Sequence, residues 1–242
     1  MGDGEANSGL LVFFTGAGIS TGAGLPTYRG AGGLYESGTL QPPSVDDVTP
    51  DRLPALWERF RPRLTAYDEI RPAKAHRAIA RLEAALPDEV VVVTQNVDGL
   101  HSLAGSTRVI ELHGSLRRIR CLGLGHLHDV RLAAWPAGDV PRCPDCGAIC
   151  RPDIVLFGEP LPSGAFRMAG QVMRRAATVV AVGTSAVVFP AAALIGDEYL
   201  AGTERIWVNL QTPPPSPGWT WLRGSADDEV TRLAGDVGQE RG

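Results

Sequence analysis

Three stretches of this sequence carry side chains whose types and spacing can do chemistry, and each follows a short apolar run. LLVFF at 10–14 leads into Thr15, Gly16, Ala17, Gly18, Ile19 and Ser20. Glycines there let backbone approach a ligand or turn sharply. A helix starting near Ser20 would aim its unpaired N–H groups at a phosphate. Strand, glycine turn and helix in succession are what a dinucleotide pyrophosphate uses, although such a turn also occurs with no ligand. The dehydrogenase version fits poorly. Thr21 stands where G-x-G-x-x-G needs its third glycine, and Glu36, at the offset of the usual acidic residue, sits in GGLYESG, which does not read as a strand. Further on, GLPTYR brings Tyr28 and Arg29, a ring to cover an apolar face and a guanidinium to hold an anion.

VVVVT at 90–94 leads into Gln95, Asn96, Val97 and Asp98. Amides and a carboxylate there can bind hydroxyls, a carboxamide or an ordered water; an Asx-turn with solvated side chains is the plainer alternative. VIEL at 109–112 ends in His113. An imidazole at a strand end is a natural general base near neutral pH, against the alternative of a hydrogen-bonded structural histidine. His76 opens an amphipathic helix and reads as structural, and His101 as a packing or turn partner. His126 and His128 fall with the cysteines, Cys121, Cys143, Cys146 and Cys150. Cys143 and Cys146 make a C-x-x-C. Cys121 starts another, which Leu124 leaves incomplete. CPDC does not open a helix after a strand, which weakens a redox reading.

These groups need elements to hold them. The apolar runs at 10–14, 90–94, 109–112, 179–182 and 206–210 are continuous rather than alternating, as in parallel strands buried on both faces. Helical spacing lies between them at 75–86, 166–177 and 191–200. Strands alternating with helices predict a doubly wound α/β sheet. Two segments break the alternation: 30–72, helix-like over 53–64, and 114–152, with little periodic structure. Both read as insertions that pack into a small second domain. Residues 211–218, QTPPPSPG, read as a rigid surface loop.

The 242 residues suffice to bury a core without staples. With 44% hydrophobic and 21% charged residues the chain is ordinary globular material. A net charge of -4 offers no overall footprint for nucleic acid. No apolar run reaches membrane-spanning length. The opening MGDGEANSG is polar and acidic, unlike a secretory signal, and Ala6 lacks the hydroxyl of a myristoylation motif. Four cysteines make no disulfide scaffold. A soluble, cytoplasmic, monomeric protein is expected, with no nucleic-acid or membrane partner.

Taken in order, GAGIS, GLPTYR, TQNVDGLH, ELHG, the C-x-x-C module, VLFGE, GTS and VNL resemble the sirtuin family of NAD-dependent protein lysine deacylases, over about residues 10 to 230. The resemblance implies a Rossmann-like NAD-binding domain from 1–29, 73–113 and 151–235. A small domain would comprise 30–72 and 114–150, a helical insertion plus a zinc-ribbon-like module, with a disordered tail at 236–242. It places NAD phosphates at Gly16, Ala17, Gly18 and Ser20, with Tyr28 and Arg29 on the covering loop. Ribose and nicotinamide would fall at Gln95, Asn96 and Asp98. The adenosine side would meet Gly183, Thr184 and Ser185, then Asn209 and Leu210, and a late turn at Gly224, Ser225 and Ala226. His113 would be the catalytic base, taking a proton from a ribose hydroxyl. Val155, Phe157, Gly158 and Glu159 would pair with substrate backbone as an added strand. The implied products are free lysine, nicotinamide and O-acyl-ADP-ribose.

PTYRGAGGLYE is similar to the branch acting on acidic acyl-lysines, whose Tyr-x-x-Arg binds a succinyl-type carboxylate. Phe60 and Arg63 occupy those positions here, so the guanidinium is kept and the phenol lost; Arg63 as a solvated charge beside a helix-disturbing Pro62 is the alternative. Plain deacetylation therefore stands beside desuccinylation. The resemblance also implies a structural zinc on Cys121, Cys143 and Cys146, with His126, His128 or Cys150 as fourth ligand; a small domain packed without metal is the other reading. Rival functions are an NAD hydrolase or ADP-ribosyltransferase, a deacylase of a small-molecule amine, and a non-catalytic NAD sensor. The substrate-strand motif argues against plain hydrolysis, and a sensor needs no base.

Overall fold

A computed structural model describes residues 9–29, 33–35, 38, 42–129 and 138–241. Glu36 and residues 1–8 lie outside them, as does the side chain of Arg63. The apolar runs form β1 (Leu10–Thr15), β2 (Val90–Thr94), β3 (Val109–Glu111), β7 (Ala176–Val182) and β8 (Glu204–Val208), joined by a short β9 (Thr220–Leu222) that the sequence reading did not anticipate. All pair in parallel, in the order β3-β2-β1-β7-β8-β9. Side chains alternate across the sheet. Leu10, Val12 and Phe14 meet Ala169 and Met173 of α4 (Ser163–Arg175) on one face. Leu11 and Phe13 meet Ile79 and Leu82 of α2 (Lys74–Ala85) and Val230 of α5 (Ala226–Arg241) on the other. Each face has its own helical cover, which is why these strands read as unbroken apolar runs. The doubly wound expectation describes this sheet.

Several local expectations need correction. The helix expected near Ser20 is a 3-10 helix, Ala17–Ala23, stopped where Gly24 turns left-handed at φ 88°. The helix expected over 191–200 is a 3-10 segment, Ala191–Ile195, ended by extended Gly196. Residues 236–241, expected to be a disordered tail, continue α5. Ser225 Oγ accepts the Asp228 N–H at the helix start, and Leu233, Ala234 and Val237 pack on the sheet-facing cluster, so the last turns have an apolar anchor.

The cysteine region was expected to have little periodic structure, yet it holds an antiparallel sheet in the order β5-β4-β6. Its members are β4 (Gly114–Cys121), β5 (Leu127–Asp129) and β6 (Cys150–Ile154), which runs beyond the junction expected at 150. Arginines hid the strand pattern of β4. Arg118 pairs with Glu111 at 2.6 Å and with Asp153 at 2.9 Å, and Arg120 with Asp153 at 2.5 Å, which satisfies an almost fully buried carboxylate. Leu116, Ile119 and Cys121 bury against α1 (Leu53–Glu69), through Trp57, Phe60 and Leu64. The Trp57 indole N–H donates to the Cys150 carbonyl at 3.0 Å. Pro62 lies inside α1 without ending it.

The strand order turns between β1 and β7, where open α/β sheets leave a crevice. There the loop after β1 touches the loop after β7. Gly16 N–H donates to Val182 O at 2.9 Å and Gly18 N–H to Gly183 O at 2.8 Å. A Cβ on Gly18 would lie 2.6 Å from Gly183 Cα, and Gly183 itself is left-handed at φ 59°. Gly18→Ala is therefore expected to force the loops apart, lowering stability by about 1–3 kcal/mol in urea unfolding. It should also abolish binding in the crevice.

Beneath β2, α2 and α3 (Leu100–Ala104) bury two histidines edge to face, His76 and His101, with ring centroids 4.7 Å apart. Burial pushes His76 down to about 4, with Asp98 opposing and Arg77 adding to the shift; burial, then His76, drives His101 well below its usual value. Both are thus neutral in the fold. On acidification the unfolded chain takes up protons first, so stability present above 6.5 is lost as pH falls toward 4. Thermal unfolding across that window should show the loss, and His76→Phe should flatten it. An unchanged slope would refute the assignment.

Candidate active site

The crevice opens into a cavity of about 530 Å³. Gly16, Ala17, Gly18 and Thr21 line one wall; Gly183, Thr184, Ser185, Asn209, Leu210 and Ala226 line another. Gln95, Asn96 and His113 stand on its floor between them. Two expected ligand residues, Ser20 and Asp98, lie behind the wall. Ser20 Oγ donates to Asp98 Oδ2 at 2.7 Å, and Asp98 Oδ1 accepts Leu100 N–H at 2.9 Å. Asn96 Nδ2 donates to Gly16 O at 3.1 Å and to Ser20 Oγ at 3.2 Å. This buried network ties the glycine loop to the loop after β2. The Gly16 N–H donates to Val182 O at the end of β7 and the Gly18 N–H to Gly183 O just after it, so these two groups hold the glycine loop against β7 and the loop that follows.

Thr184 joins three strand ends. Its hydroxyl accepts from Gln95 Nε2 at 3.0 Å and from Ala186 N at 3.2 Å, and its carbonyl accepts from Asn209 Nδ2 at 2.9 Å. Asn209 Oδ1 in turn accepts the Gln211 and Thr212 N–H groups. The loops after β2, β7 and β8 are thereby held in register around the cavity.

His113 Nδ1 lies 2.9 Å from the Gln95 carbonyl. A carbonyl only accepts, so Nδ1 carries the proton and Nε2 keeps its lone pair. Burial lowers the His113 pKa, with the Gln95 hydrogen bond opposing. The result is a neutral imidazole with a fixed tautomer, the form a general base needs.

The mouth is aromatic. Tyr28 packs on Tyr35 at 5.4 Å, Tyr35 meets Phe157 edge-on at 6.0 Å, and the Arg29 guanidinium lies 6.0 Å from the Tyr35 ring. Val188 and the exposed Phe189 face the same opening. Tyr35, Phe189 and Thr21 were missed in the sequence; the signal available for the first two was an aromatic beside each glycine- or proline-containing motif. Val155, Phe157, Gly158 and Glu159 all line the cavity. The N–H groups of Val155, Phe157 and Glu159 bond within the chain, to His113 O at 2.9 Å, Pro43 O at 3.0 Å and Leu156 O at 3.0 Å. Phe157 O accepts from Val45 N at 2.9 Å. The Glu159 carboxylate is held by Arg151 and by the Leu156 N–H at 2.8 Å. Burial raises its pKa, yet these hydrogen bonds outweigh burial and leave it below the ordinary range. Glu159 thus braces the loop. Phe60 is buried on the cavity wall, where it offers a ring and no hydroxyl.

The cysteines form no part of the cavity lining. The sulfurs of Cys121, Cys143 and Cys146 lie within 4.8 Å of one another, with Cys121 and Cys146 at 3.4 Å. The Leu124 and Gly123 N–H groups point at Cys121 Sγ, at 3.4 and 3.3 Å, and donation from Leu124 leads the causes that bring this thiol down to about 7. Three clustered thiols, one of them poised to ionise, fit a soft, tetrahedral ion such as zinc. Leu124 is 65% exposed and turns away. Cys150 is fully buried, and burial pushes its thiol up to about 11.

A Sir2 family model matches residues 16–190. A Pyrobaculum aerophilum protein named NAD-dependent protein deacylase 2 is 41% identical over 240 residues, covering 96% of this chain and 92% of that protein. A solved Sir2 homologue in complex with NAD superposes with a TM-score of 0.81 at 35% identity, over 96% of this chain and 90% of the other. A Sir2 structure with a p53 peptide and NAD+ superposes at 0.73 and 33% identity, over 95% and 94%. Motif order, sheet order, cavity and these likenesses agree, and the chain belongs to the Sir2 family.

Proposed function

We propose that this protein uses NAD to remove an acyl group from lysine side chains of proteins, releasing nicotinamide and O-acyl-ADP-ribose. The observation that carries the reading is His113, neutral and locked in one tautomer by Gln95, on the floor between the glycine-loop wall and the aromatic mouth. The Pyrobaculum relative is named a deacylase, and the peptide complex shows that a Sir2 protein can hold a peptide together with NAD.

Bound NAD would supply an electrophilic ribose carbon and nicotinamide as the leaving group. The walls at Ala17 and Thr21, and at Ser185, Asn209 and Leu210, would hold its two ends. Gln95 and Asn96 would orient the ribose and carboxamide, with Asp98 and Ser20 fixing Asn96 from behind. His113 Nε2 would take a proton from a ribose hydroxyl. Tyr28, Arg29 and Tyr35 would cover the site and keep water from the reacting centre. Phe157, Val188 and Phe189 would take the aliphatic stem of an acyl-lysine, and Phe60 a short apolar acyl end. We read acetyl as the preferred group on that account. A role for Cys121, Cys143 and Cys146 in holding zinc would be structural.

Incubation with NAD and acetyl-, succinyl- and longer acyl-lysine peptides, read by mass spectrometry, should yield O-acyl-ADP-ribose. Nicotinamide release with no acylated product would instead establish an NAD hydrolase. His113→Ala should lower kcat by about 10²–10⁴-fold, the usual contribution of a general base. Because burial lowers the pKa of His113, its neutral form persists below 6.5. The acid limb of kcat/KM should therefore sit below that value, and a limb above it would exclude His113 as the titrating base. Phe60→Tyr should raise the succinyl-to-acetyl ratio by about tenfold or more if a charged acyl end reaches this wall, since such a hydrogen bond contributes roughly 1.5–3 kcal/mol.

A further inference from the structure

Leu124 stands where a second C-x-x-C would carry its second thiol, so the cysteine cluster offers three sulfurs to an ion that wants four donors. We propose that His128 supplies the fourth, making a Cys3His zinc site from Cys121, Cys143, Cys146 and His128. The strand β5 brings it there. Leu127 pairs with Arg120 and His128 with Ile119, folding the imidazole back across β4 toward the turn that bears Cys143 and Cys146. His128 Nε2 lies 3.3 Å from Cys143 Sγ. A tetrahedral zinc with bonds of about 2.3 Å to sulfur and about 2.0–2.1 Å to nitrogen sets neighbouring donors about 3.5–3.8 Å apart. The 3.3 Å separation, and the 3.4 Å between Cys121 and Cys146, are close to two opposite edges of that tetrahedron. Cys143 is the vertex shared by the two groups, and the imidazole must swing toward the other two sulfurs to close the remaining edges.

The other donors fit less well. Cys150 pairs with Cys121 across β4 and β6, but its sulfur is outside the three-sulfur group and its thiol faces Ala148 O at 3.8 Å within the core. His126 Nδ1 is engaged by Asp145 Oδ2 at 2.9 Å. Asp145 lies 3.5 Å from His128 Nε2 and with His126, His128 and Cys143 forms a second possible set. That set has one sulfur against three, and soft thiolates favour zinc in the first. Asp145 then remains an outer carboxylate beside the ligands.

Elemental analysis of the purified protein should find a single zinc per chain. X-ray absorption at the zinc edge should show three sulfur neighbours and one nitrogen. His128→Ala should lose zinc to a chelator that the parent protein withstands, with circular dichroism to confirm that it folds. Adding Leu124→Cys to that variant should restore retention and shift the cobalt-substituted spectrum toward four thiolates. No zinc in the parent protein would overturn the proposal. So would a four-sulfur shell, or a His128→Ala protein that keeps its zinc and cobalt spectrum while Cys150→Ala, His126→Gln or Asp145→Asn loses them. Should His128→Ala fail to fold, the ligand shell of the parent protein decides alone.

Discussion

Backbone contact between Gly18 and Gly183 sets the geometry on which the rest of the site depends. Two loops leaving neighbouring parallel strands normally diverge; here the N–H of one reaches the carbonyl of the other at 2.8 Å, with no side chain between them. That contact fixes the width of the crevice at the turn in strand order. Thr184 then gathers the loops after β2 and β8 onto the same point, while Ser20, Asn96 and Asp98 lock the glycine loop from beneath. Each of these polar groups is satisfied within the protein, so the wall presented to a ligand is already organised before anything binds.

Histidine shows how environment decides chemistry in this fold. His76 and His101 are sealed under the sheet, where burial removes their charge and leaves them a packing role, with His101 also 3.0 Å from the Thr15 hydroxyl. His113 is also pushed toward its neutral form, but it stands at a strand end on the cavity floor with one nitrogen committed to Gln95. The same direction of shift leaves His76 a packing residue under the sheet and His113 a neutral imidazole on the cavity lining, the form that the proposed base requires. His128 is a third case, on the small sheet beside the Cys143 sulfur.

The second sheet supports the site from outside. Arginines that would look like solvent charges converge on Asp153 and Glu111, and Arg151 converges on Glu159. These pairs anchor the segment from β6 to Glu159, whose Val155 N–H bonds the His113 carbonyl. Disturbing the small sheet therefore reaches His113 through one strand and one loop, with the cysteines outside the cavity lining.

Local chemistry was legible in the sequence: five parallel strands, polar side chains loaded onto their ends, His113 at one of those ends on the cavity lining, and a cysteine group short of one thiol. Such features depend on neighbours a few residues away, so a linear pattern records them. The strand β4 escaped because its arginines find partners in Glu111 and Asp153, and the last turns of α5 because Val237 finds its apolar cover on the sheet-facing cluster. The positions of Ser20 and Asp98 behind the wall, the engagement of Phe157 by Pro43 and Val45, and the approach of His128 to Cys143 are likewise contacts between distant segments. The sequence by itself determined which groups could act; the tertiary structure decided which of them face the cavity, because exposure, tautomer and pKa are properties of what packs around a side chain.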